Sequence, residues 1–425
     1  MRILLTGASG FIGRHLLRAL LAEGHHVVCA SRTAQSGNAP RLSCIRADFT
    51  QDSDKSVWLA RLAEVDVVIN TVGIFREHGA QTFARIHTET PRALFAAAAE
   101  SPHLRMAIQL SALGADEHAD TAYHLSKKAA DDYLATLPLR SYILQPSLVY
   151  GFDGTSARVF KALASMPLAL RFGHAPQLVQ PIHVDDLVGA ILGLLRNRLP
   201  AAGALRVPLV GPQALPFVAY LAALRAAMGM GKLRVLTLPD PIARMLAKAG
   251  RWLPGALLDE DALRMLNRGN CADPALTTLL LGRPPRPIAD FIAVPDAERT
   301  RARLDWLLPV LRWSIAAVWI VTAIVSSGLY PVGQSYDLLA RSGIPPFLQP
   351  LMLYGAAGLD LALGLGILLL PRRRWLWLAQ LGLIGFYSIV IAWKLPEFLL
   401  HPYGPLTKNL PLLAAIWLLY EVEEK

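Results

Sequence analysis

The chain has 425 residues, of which 53% are hydrophobic and only 17% are charged, a composition that excludes an ordinary soluble enzyme and a length that allows two or three domains. The 42 basic residues outnumber the 32 acidic ones, but no basic stripe with interleaved aromatic residues occurs, so nucleic-acid binding is not predicted. Cys29, Cys44 and Cys271 lack metal-binding spacing, which predicts reduced structural thiols and no metal site.

The first 32 residues have the order strand, glycine turn, helix, strand. An apolar run at residues 3–5 precedes Gly7, Gly10 and Gly13, and a second apolar run follows at residues 27–30. The first glycine permits a tight turn, the second lets backbone approach a pyrophosphate, and the third lets the helix pack on the strand. Because a helix N-terminus offers free N–H groups and partial positive charge, we expect a dinucleotide site. The alternative is a tight turn without a ligand.

The second strand ends at Ala30, Ser31 and Arg32, with no acidic residue for the 2′-hydroxyl of an NAD ribose. Arg32 is suited to pair with a 2′-phosphate, so the sequence favours NADP, with NAD also allowed. The alternative for Arg32 is a solvated surface arginine.

Apolar runs then alternate with helical patterns up to about residue 300, which predicts βαβ units and a doubly wound parallel sheet. Asp48 follows one short strand, Thr71, Val72 and Gly73 follow another, and Ser111 ends the next. Ligands of such sheets bind at the carboxyl ends of the strands, so we expect these turns to line one cleft.

Tyr123 and Lys127 are four residues apart and share one face of a predicted helix. An ammonium group near a phenol, with a nicotinamide cation nearby, favours the phenolate and lowers the phenol pKa. Such a tyrosine can exchange a proton with a carbonyl/alcohol couple while the cofactor moves a hydride, and Ser111 is expected to hold the same oxygen. An ordinary surface pair is the alternative for this spacing.

The segments TGASGFIG, RADFT, SALGA, YHLSK, QPSLVYG and QPIHVDDL together resemble the short-chain dehydrogenase/reductase (SDR) superfamily, in its extended and atypical branch. The pattern is most similar to atypical members related to the NAD(P)H-binding accessory subunit of respiratory complex I, a group that often binds nucleotide without obvious turnover. The resemblance implies a Rossmann domain over residues 1–300, with a smaller substrate-side region mostly within 151–300.

The same resemblance implies roles for individual residues. It makes Ser111, Tyr123 and Lys127 the catalytic set. The glycines would hold the pyrophosphate, Arg32 the 2′-phosphate and Asp48 the adenine, while Pro146 and Val149 would flank the nicotinamide. The full set of implied cofactor-binding residues is Gly7, Gly10, Phe11, Ile12, Gly13, Arg32, Asp48, Thr71, Val72, Gly73, Tyr123, Lys127, Pro146 and Val149.

Two departures from the family pattern concern the substrate side. Gln145 stands where the family usually has an arginine, and residues 70–73 replace an alanine-rich turn. His183, Asp185 and Asp186 precede an apolar helical pattern and fit the start of a helix better than a metal or acid/base site.

Beyond about residue 303 the chain changes to long apolar stretches. Residues 313–329 and 375–393 carry no charge, residues 347–370 carry only Asp360, and residues 406–420 carry only Lys408. Each is near the roughly 20 residues that span a bilayer, which predicts a four-helix transmembrane bundle within residues 301–425. This region resembles the DoxX-like family of four-helix membrane proteins, mainly through residues 401–411.

Charge predicts the orientation of these helices. Four arginines lie between residues 299 and 312, and Arg372, Arg373 and Arg374 fill the turn between the second and third spans. Such clusters favour the cytoplasmic side, so we expect the SDR domain and both termini in the cytoplasm, at the inner membrane. The chain also opens directly on a strand, which predicts no signal peptide.

Asp360 lies within a predicted span, where a carboxylate is costly unless it is paired. Lys394, His401 and Lys408 are candidate partners. A structural ion pair and a redox or transport role both remain open for Asp360.

The sequence thus predicts a membrane-anchored NAD(P)H-dependent oxidoreductase of the SDR type. Its expected substrate is a lipophilic carbonyl, quinone or isoprenoid-like compound, and its expected partners are the lipid bilayer and respiratory or redox membrane proteins. One alternative is a non-catalytic NADPH-binding assembly or sensor protein. Another is a nucleotide-gated transporter or redox conduit through Asp360.

Overall fold

The computed structural model describes residues 1–33, 40–172, 176–239, 260–402 and 404–423, together with residues 241, 242 and 245. The chain divides into two compact units, Met1–Ala302 and Arg303–Lys425.

The first unit is built from strands that alternate with helices. Its described strands are β1 (Arg2–Thr6), β2 (His26–Ser31), β3 (Leu42–Arg46), β4 (Val67–Asn70), β5 (Met106–Leu110), β6 (Ser141–Pro146), β7 (Val149–Tyr150), β8 (Leu168–Phe172), β9 (Leu178–Val179), β10 (Ile182–His183), β11 (Ala204–Leu209), β12 (Leu215–Pro216) and β13 (Arg234–Leu238). Its described helices are α1 (Phe11–Ala22), α2 (Lys55–Arg61), α3 (Thr90–Glu100), α4 (Ala122–Thr136), α5 (Thr155–Ser165), α6 (Val184–Leu195), α7 (Phe217–Ala227), α8 (Glu260–Arg268) and α9 (Ala275–Leu281). A π-helical turn, Ala84–Glu89, leads into α3.

Seven of these strands form one parallel sheet in the order β3-β2-β1-β4-β5-β6-β11. The chain moves outward from β1 to β3 and then returns to β4 on the other side of β1. Ligands of open parallel sheets bind at the carboxyl ends of the strands where this order reverses, here between β1 and β4. The predicted Rossmann-type sheet is confirmed.

Helices cover both faces of the sheet. Leu16 of α1 and Leu187 of α6 pack in one buried cluster, and Trp58 of α2 and Phe95 of α3 pack in another. Strands buried on both faces are expected to be apolar throughout, which is why residues 67–69 of β4 form an unbroken apolar run.

The start of α6 explains the acidic pair that follows β10. His183 is the N-cap, and its Nδ1 accepts a hydrogen bond from the Asp185 N–H at 3.2 Å. Asp186 is fully buried and bonds the Arg283 guanidinium and the Arg286 N–H. These residues therefore begin a helix and tie the segment near residue 285 to it, as the sequence pattern favoured.

The second unit is helical. It begins within α10 (Pro295–Ile324) and continues with α11 (Val332–Arg341), α12 (Gln349–Leu369), α13 (Arg374–Lys394) and α14 (Asn409–Val422). Among the described residues, three helical segments are long and apolar enough to cross a membrane: Pro295–Leu329, Pro346–Leu369 and Arg374–Lys394. With 14 residues, α14 is about 21 Å long and falls short of the ~30 Å hydrocarbon core. Three of the four predicted spans are confirmed by length, and the fourth stays a prediction.

Contacts at its two ends show that α14 runs antiparallel to α13. The Glu423 carboxylate pairs with Arg312 of α10 and accepts a hydrogen bond from the Trp377 indole at 2.8 Å. At the other end, Asn409 Nδ2 donates to Ser388 Oγ at 2.8 Å. The carboxyl end of α14 thus lies beside the start of α13, at the same end of the bundle as the basic turn.

Asp360 of α12 is only 7% exposed, and its Oδ1 accepts no hydrogen bond from any described residue. Within the described part of the chain, neither Lys394 nor Lys408 forms an ion pair with it. A Cβ at Gly364, one turn later, would lie 2.6 Å from Ile320 Cγ1. That glycine therefore serves close packing of α12 on α10.

Candidate functional site

The turn after β1 forms a cradle that requires glycine. Gly7 has a φ of +75°, and a Cβ there would lie 2.7 Å from Thr71 Oγ1. A Cβ at Gly13 would lie 2.1 Å from the Gly7 oxygen, whereas a Cβ at Gly10 would meet only that oxygen, at 3.1 Å. The first turn of α1 has no acidic residue and no side-chain cap, so its N–H groups are available to an anion. The cradle therefore fits a dinucleotide pyrophosphate.

The neighbouring strand ends carry the residues predicted for the adenosine half of a nucleotide. Arg32 is exposed just after β2, and Asp48 follows β3. Burial raises the pKa of Asp48, but hydrogen bonds from the Thr50 N–H and hydroxyl, with the charges of Arg32 and Arg46, outweigh it and leave the pKa below its ordinary value. Asp48 is therefore ionised, and its charge acts on Arg32.

A buried polar ladder joins the carboxyl ends of β1, β4 and β5. The Thr6 hydroxyl donates to Asn70 Oδ1 at 2.5 Å, and Asn70 Nδ2 donates to Gln109 Oε1 at 2.7 Å. The Thr71 hydroxyl donates to the backbone carbonyl oxygen of Thr6 at 2.7 Å, and the Val72 N–H donates to Asn70 Oδ1 at 3.2 Å. These bonds hold the turn after β4 against the glycine cradle.

Lys127 is held between the ends of β4 and β5. Its Nζ donates to the Leu110 oxygen at 3.0 Å and to the Val72 oxygen at 3.4 Å. A Cβ at Gly73 would lie 3.1 Å from Nζ, so the missing side chain leaves room for the ammonium group. Burial lowers the pKa of Lys127 to about 8, although the Asp131 charge acts in the opposite direction.

Ser111 forms a hydrogen bond with Asp131, a residue that the sequence did not identify as part of the site. Its hydroxyl donates to the carboxylate of Asp131, one turn beyond Lys127 on α4, and both side chains are buried. Burial raises the pKa of Asp131 to about 6, against the Ser111 hydrogen bond and the Lys127 charge. The sequence feature that could have identified Asp131 is its i, i+4 spacing from Lys127 on one helix. If Ser111 holds the reacting oxygen, as the sequence predicts, it must do so while its hydroxyl hydrogen is donated to Asp131.

Tyr123 lies in a cluster of aromatic rings. Phe75 stacks on it with ring centroids 4.7 Å apart, and the edges of His87 and Phe83 approach at 5.6 and 6.2 Å. Burial, and then the Asp131 charge, raises the pKa of Tyr123 to about 12. The predicted lowering of this pKa by Lys127 is wrong for the protein alone, because desolvation of the phenolate dominates.

His87 was also missed, since a lone histidine in a helical segment carries no spacing signal. Its Nε2 accepts a hydrogen bond from the Ile74 N–H at 3.0 Å, which leaves the hydrogen on Nδ1 to donate to Ser126 Oγ at 2.9 Å. The Ser126 hydroxyl in turn donates to the backbone carbonyl oxygen of Tyr123 at 2.8 Å. This chain of bonds fixes the start of α4 beside the turn after β4.

We expect His87 to make the fold sensitive to acid. Burial, and then the Lys127 charge, lowers its pKa to about 2, below the ordinary value near 6.5. Between these values the unfolded state binds more protons, so stability is lost as the pH falls below about 6.5, by up to about 2 kcal/mol at pH 5. Thermal unfolding in detergent at pH 7 and 5 measures this. His87→Gln should show a smaller drop in Tm than the unchanged protein, and equal drops would contradict the assignment.

The remaining predicted cofactor-binding residues lie at different places in the fold. Pro146 is buried at the end of β6, and Val149 is partly exposed at the start of β7. The Phe11 ring packs on the loop after β7, because a Cβ at Gly151 would lie 2.6 Å from its Cζ. Phe11 therefore offers only its backbone to the cradle. Ile12 follows it in the first turn of α1 and packs partly against the core.

Two families match different parts of the chain. The NAD dependent epimerase/dehydratase family matches residues 3–203, and the DoxX-like family matches residues 316–417.

Individual relatives each match more than half of the chain. Ceramide reductase of Caulobacter vibrioides is 28% identical over 271 residues, 60% of this chain and 77% of that protein. The mitochondrial NADH dehydrogenase [ubiquinone] 1 alpha subcomplex subunit 9 of Arabidopsis thaliana is 27% identical over 257 residues, 57% of this chain and 61% of that protein. A structure of UDP-glucuronic acid 4-epimerase from Bacillus cereus with UDP-glucuronic acid and NAD superposes with a TM-score of 0.52 at 19% identity, over 72% of this chain and 100% of the epimerase chain. The last similarity concerns the fold alone.

Proposed function

We propose, from the premise that this chain joins an epimerase/SDR-like NAD-binding domain to a DoxX-like domain, that it is a membrane-anchored NAD(P)H-dependent reductase of a lipophilic carbonyl compound. Quinones and isoprenoid-like carbonyls belong to the same substrate class. One observation carries the proposal: Tyr123, Lys127 and Asp131 follow one another at one-turn intervals on α4, Ser111 bonds Asp131, and Lys127 reaches the strand ends beside the glycine cradle. We place the domain boundary near residue 300, with the substrate side mostly within residues 151–300.

Each residue then has a chemical role. The nucleotide, when bound, supplies a hydride. The backbone of Gly7 and Gly10 and the start of α1 hold its pyrophosphate, and Arg32 holds a 2′-phosphate. Tyr123, whose pKa of about 12 keeps it protonated at neutral pH, donates its phenolic proton to the carbonyl oxygen. The Lys127 ammonium stabilises the phenolate that remains.

An exposed aromatic ring beside Tyr123 supports a lipophilic substrate. The Phe75 ring stacks on Tyr123 yet is 68% exposed. Exposed aromatic surface beside a reacting group suits an apolar ligand. The similarity to ceramide reductase, which is named for a lipid, supports the same class.

We further propose that the protein lies in the cytoplasmic membrane with its NAD-binding domain and both termini inside. The basic turn Arg372–Arg374 favours that side, and the carboxyl end of α14 lies at the same end of the bundle. Redox proteins of the same membrane are the proposed partners.

We expect Arg32 to set the preference for NADPH. Replacing it with alanine should weaken NADPH binding about 10- to 100-fold and leave NADH binding nearly unchanged, because only NADPH carries the 2′-phosphate. Isothermal titration of the purified protein with each nucleotide measures this. Arg105→Ala is the matched control, since Arg105 is exposed just before β5, at the opposite edge of the sheet. Equal losses for both nucleotides would contradict the role.

Turnover separates the reductase from its main alternative. The similarity to a complex I subunit favours a second candidate function, in which NADPH is held for assembly or sensing and is not consumed. The purified protein should oxidise NADPH with at least one of decanal, methyl undecyl ketone, menadione and a long-chain keto amide. No oxidation with any of them, together with stable retention of NADPH, would favour the second candidate.

A further inference from the structure

Asp131 is a fully buried carboxylate that forms no ion pair with any described residue. One oxygen accepts the Ser111 hydroxyl, and Oδ1 has no hydrogen-bond partner among the described residues. The described hydrogen bonds of Lys127, one turn earlier on α4, go to the carbonyl oxygens of Leu110 and Val72. Burying a carboxylate is costly unless it is paired, so a role in stability alone does not account for Asp131.

The hydrogen bond from Ser111 to Asp131 restricts the hydrogen bonds that Ser111 can form with a ligand. A serine hydroxyl has one hydrogen and two lone pairs. When Asp131 is ionised it can only accept, so the hydrogen points to Asp131 and Ser111 presents lone pairs elsewhere. When Asp131 is protonated it can donate to Ser111 Oγ, and the Ser111 hydrogen becomes available to another acceptor.

We propose that Asp131 is a positioning residue that determines whether Ser111 accepts a hydrogen bond from the reacting oxygen or donates one to it. Ionised Asp131 makes Ser111 an acceptor, which suits an alcohol. Protonated Asp131 makes Ser111 a donor, which suits a carbonyl. This inference rests on the proposed function. In the reduction itself, the carbonyl carbon gains the hydride of NAD(P)H and the oxygen gains the Tyr123 proton, while Asp131 and Ser111 transfer no proton to the substrate.

The charges facing Asp131 allow it to titrate near neutral pH. Lys127 and Asp132 act on it from α4, and Arg206 acts from β11. The ionised form of Tyr123 would also repel it. Burial, the largest effect, raises its pKa to about 6. Asp131 therefore changes its charge close to neutral pH.

Infrared spectroscopy tests the coupling without turnover. In the unmodified protein, a carboxylic-acid C=O band should grow as the pH falls through about 6 and be absent from Asp131→Asn. Ser111→Ala removes a hydrogen bond to the ionised carboxylate and should move this titration to higher pH, by roughly one unit. Asp132→Asn is the matched control, because it removes a neighbouring negative charge that raises the Asp131 pKa, so it should keep the band and move its titration slightly to lower pH, opposite to Ser111→Ala. A titration that Ser111→Ala does not move would overturn the proposal.

Turnover tests the consequence. Reduction of methyl undecyl ketone should fall about tenfold in kcat/KM between pH 5 and pH 7, and oxidation of the corresponding alcohol should rise. Asp131→Asn can donate permanently to Ser111, so its reduction should stay near the acid value at both pH values, whereas Asp132→Asn should still lose activity between pH 5 and pH 7. A normal profile in Asp131→Asn would overturn the proposal. Absence of turnover in every protein would instead contradict the reductase function, and the infrared titration would still decide the coupling.

Discussion

Replacing Tyr123 with phenylalanine is expected to slow carbonyl reduction by about 10²- to 10⁴-fold, the usual contribution of a positioned proton donor. Phenylalanine keeps the ring that stacks on Phe75 and contacts His87, and it removes only the hydroxyl. Binding of NAD(P)H should therefore be unchanged. Steady-state kinetics with methyl undecyl ketone, together with nucleotide titration, measures both quantities.

A second tyrosine on the same helix supplies the control. Tyr133 of α4 contacts Arg92 through its ring and lies outside the Tyr123 cluster. Tyr133→Phe should retain normal kcat and KM. If Tyr123→Phe retained kcat within a factor of about three, Tyr123 would not be the proton donor, and the assignment of the catalytic set would be wrong.

Replacing Gly13 with alanine is expected to abolish measurable nucleotide binding, a loss of at least about 100-fold. The new Cβ would lie 2.1 Å from the Gly7 oxygen and 2.9 Å from Ala8 Cα, so backbone must move and the start of α1 must leave its place beside β1. Forcing such a contact also destabilises the fold, by about 1–3 kcal/mol. Titration with NADPH and the Tm in detergent report the two effects separately.

Gly203 is the matched control for this substitution. A Cβ there would meet no atom within 4 Å, and its backbone needs no left-handed conformation. Gly203→Ala should bind NADPH normally and keep its Tm. Normal NADPH binding by Gly13→Ala would show that the cradle is not the nucleotide site, whatever its effect on Tm.

Local sequence patterns were sufficient to predict the fold of the first unit and the geometry of the glycine cradle. The glycine spacing of the first βα turn predicts its geometry because a left-handed φ at Gly7 and close approach at Gly13 depend on neighbouring residues only. The alternation of apolar runs and helical patterns likewise predicts a parallel sheet, whose strand ends must share one edge. The length of apolar stretches predicts four spans, of which three are confirmed by length, while α14, with 14 residues, stays a prediction.

The sequence by itself determined the glycine cradle, the helix that carries Tyr123 and Lys127 beside it, and three apolar segments long enough to span a membrane. Only the tertiary structure decided the partner of Ser111, because Asp131 is 20 residues away and meets it when α4 packs against the end of β5. It also decided the direction of the Tyr123 pKa, since desolvation depends on rings contributed by several segments. Spacing places groups along one helix, whereas burial and hydrogen-bond direction depend on everything that packs around them.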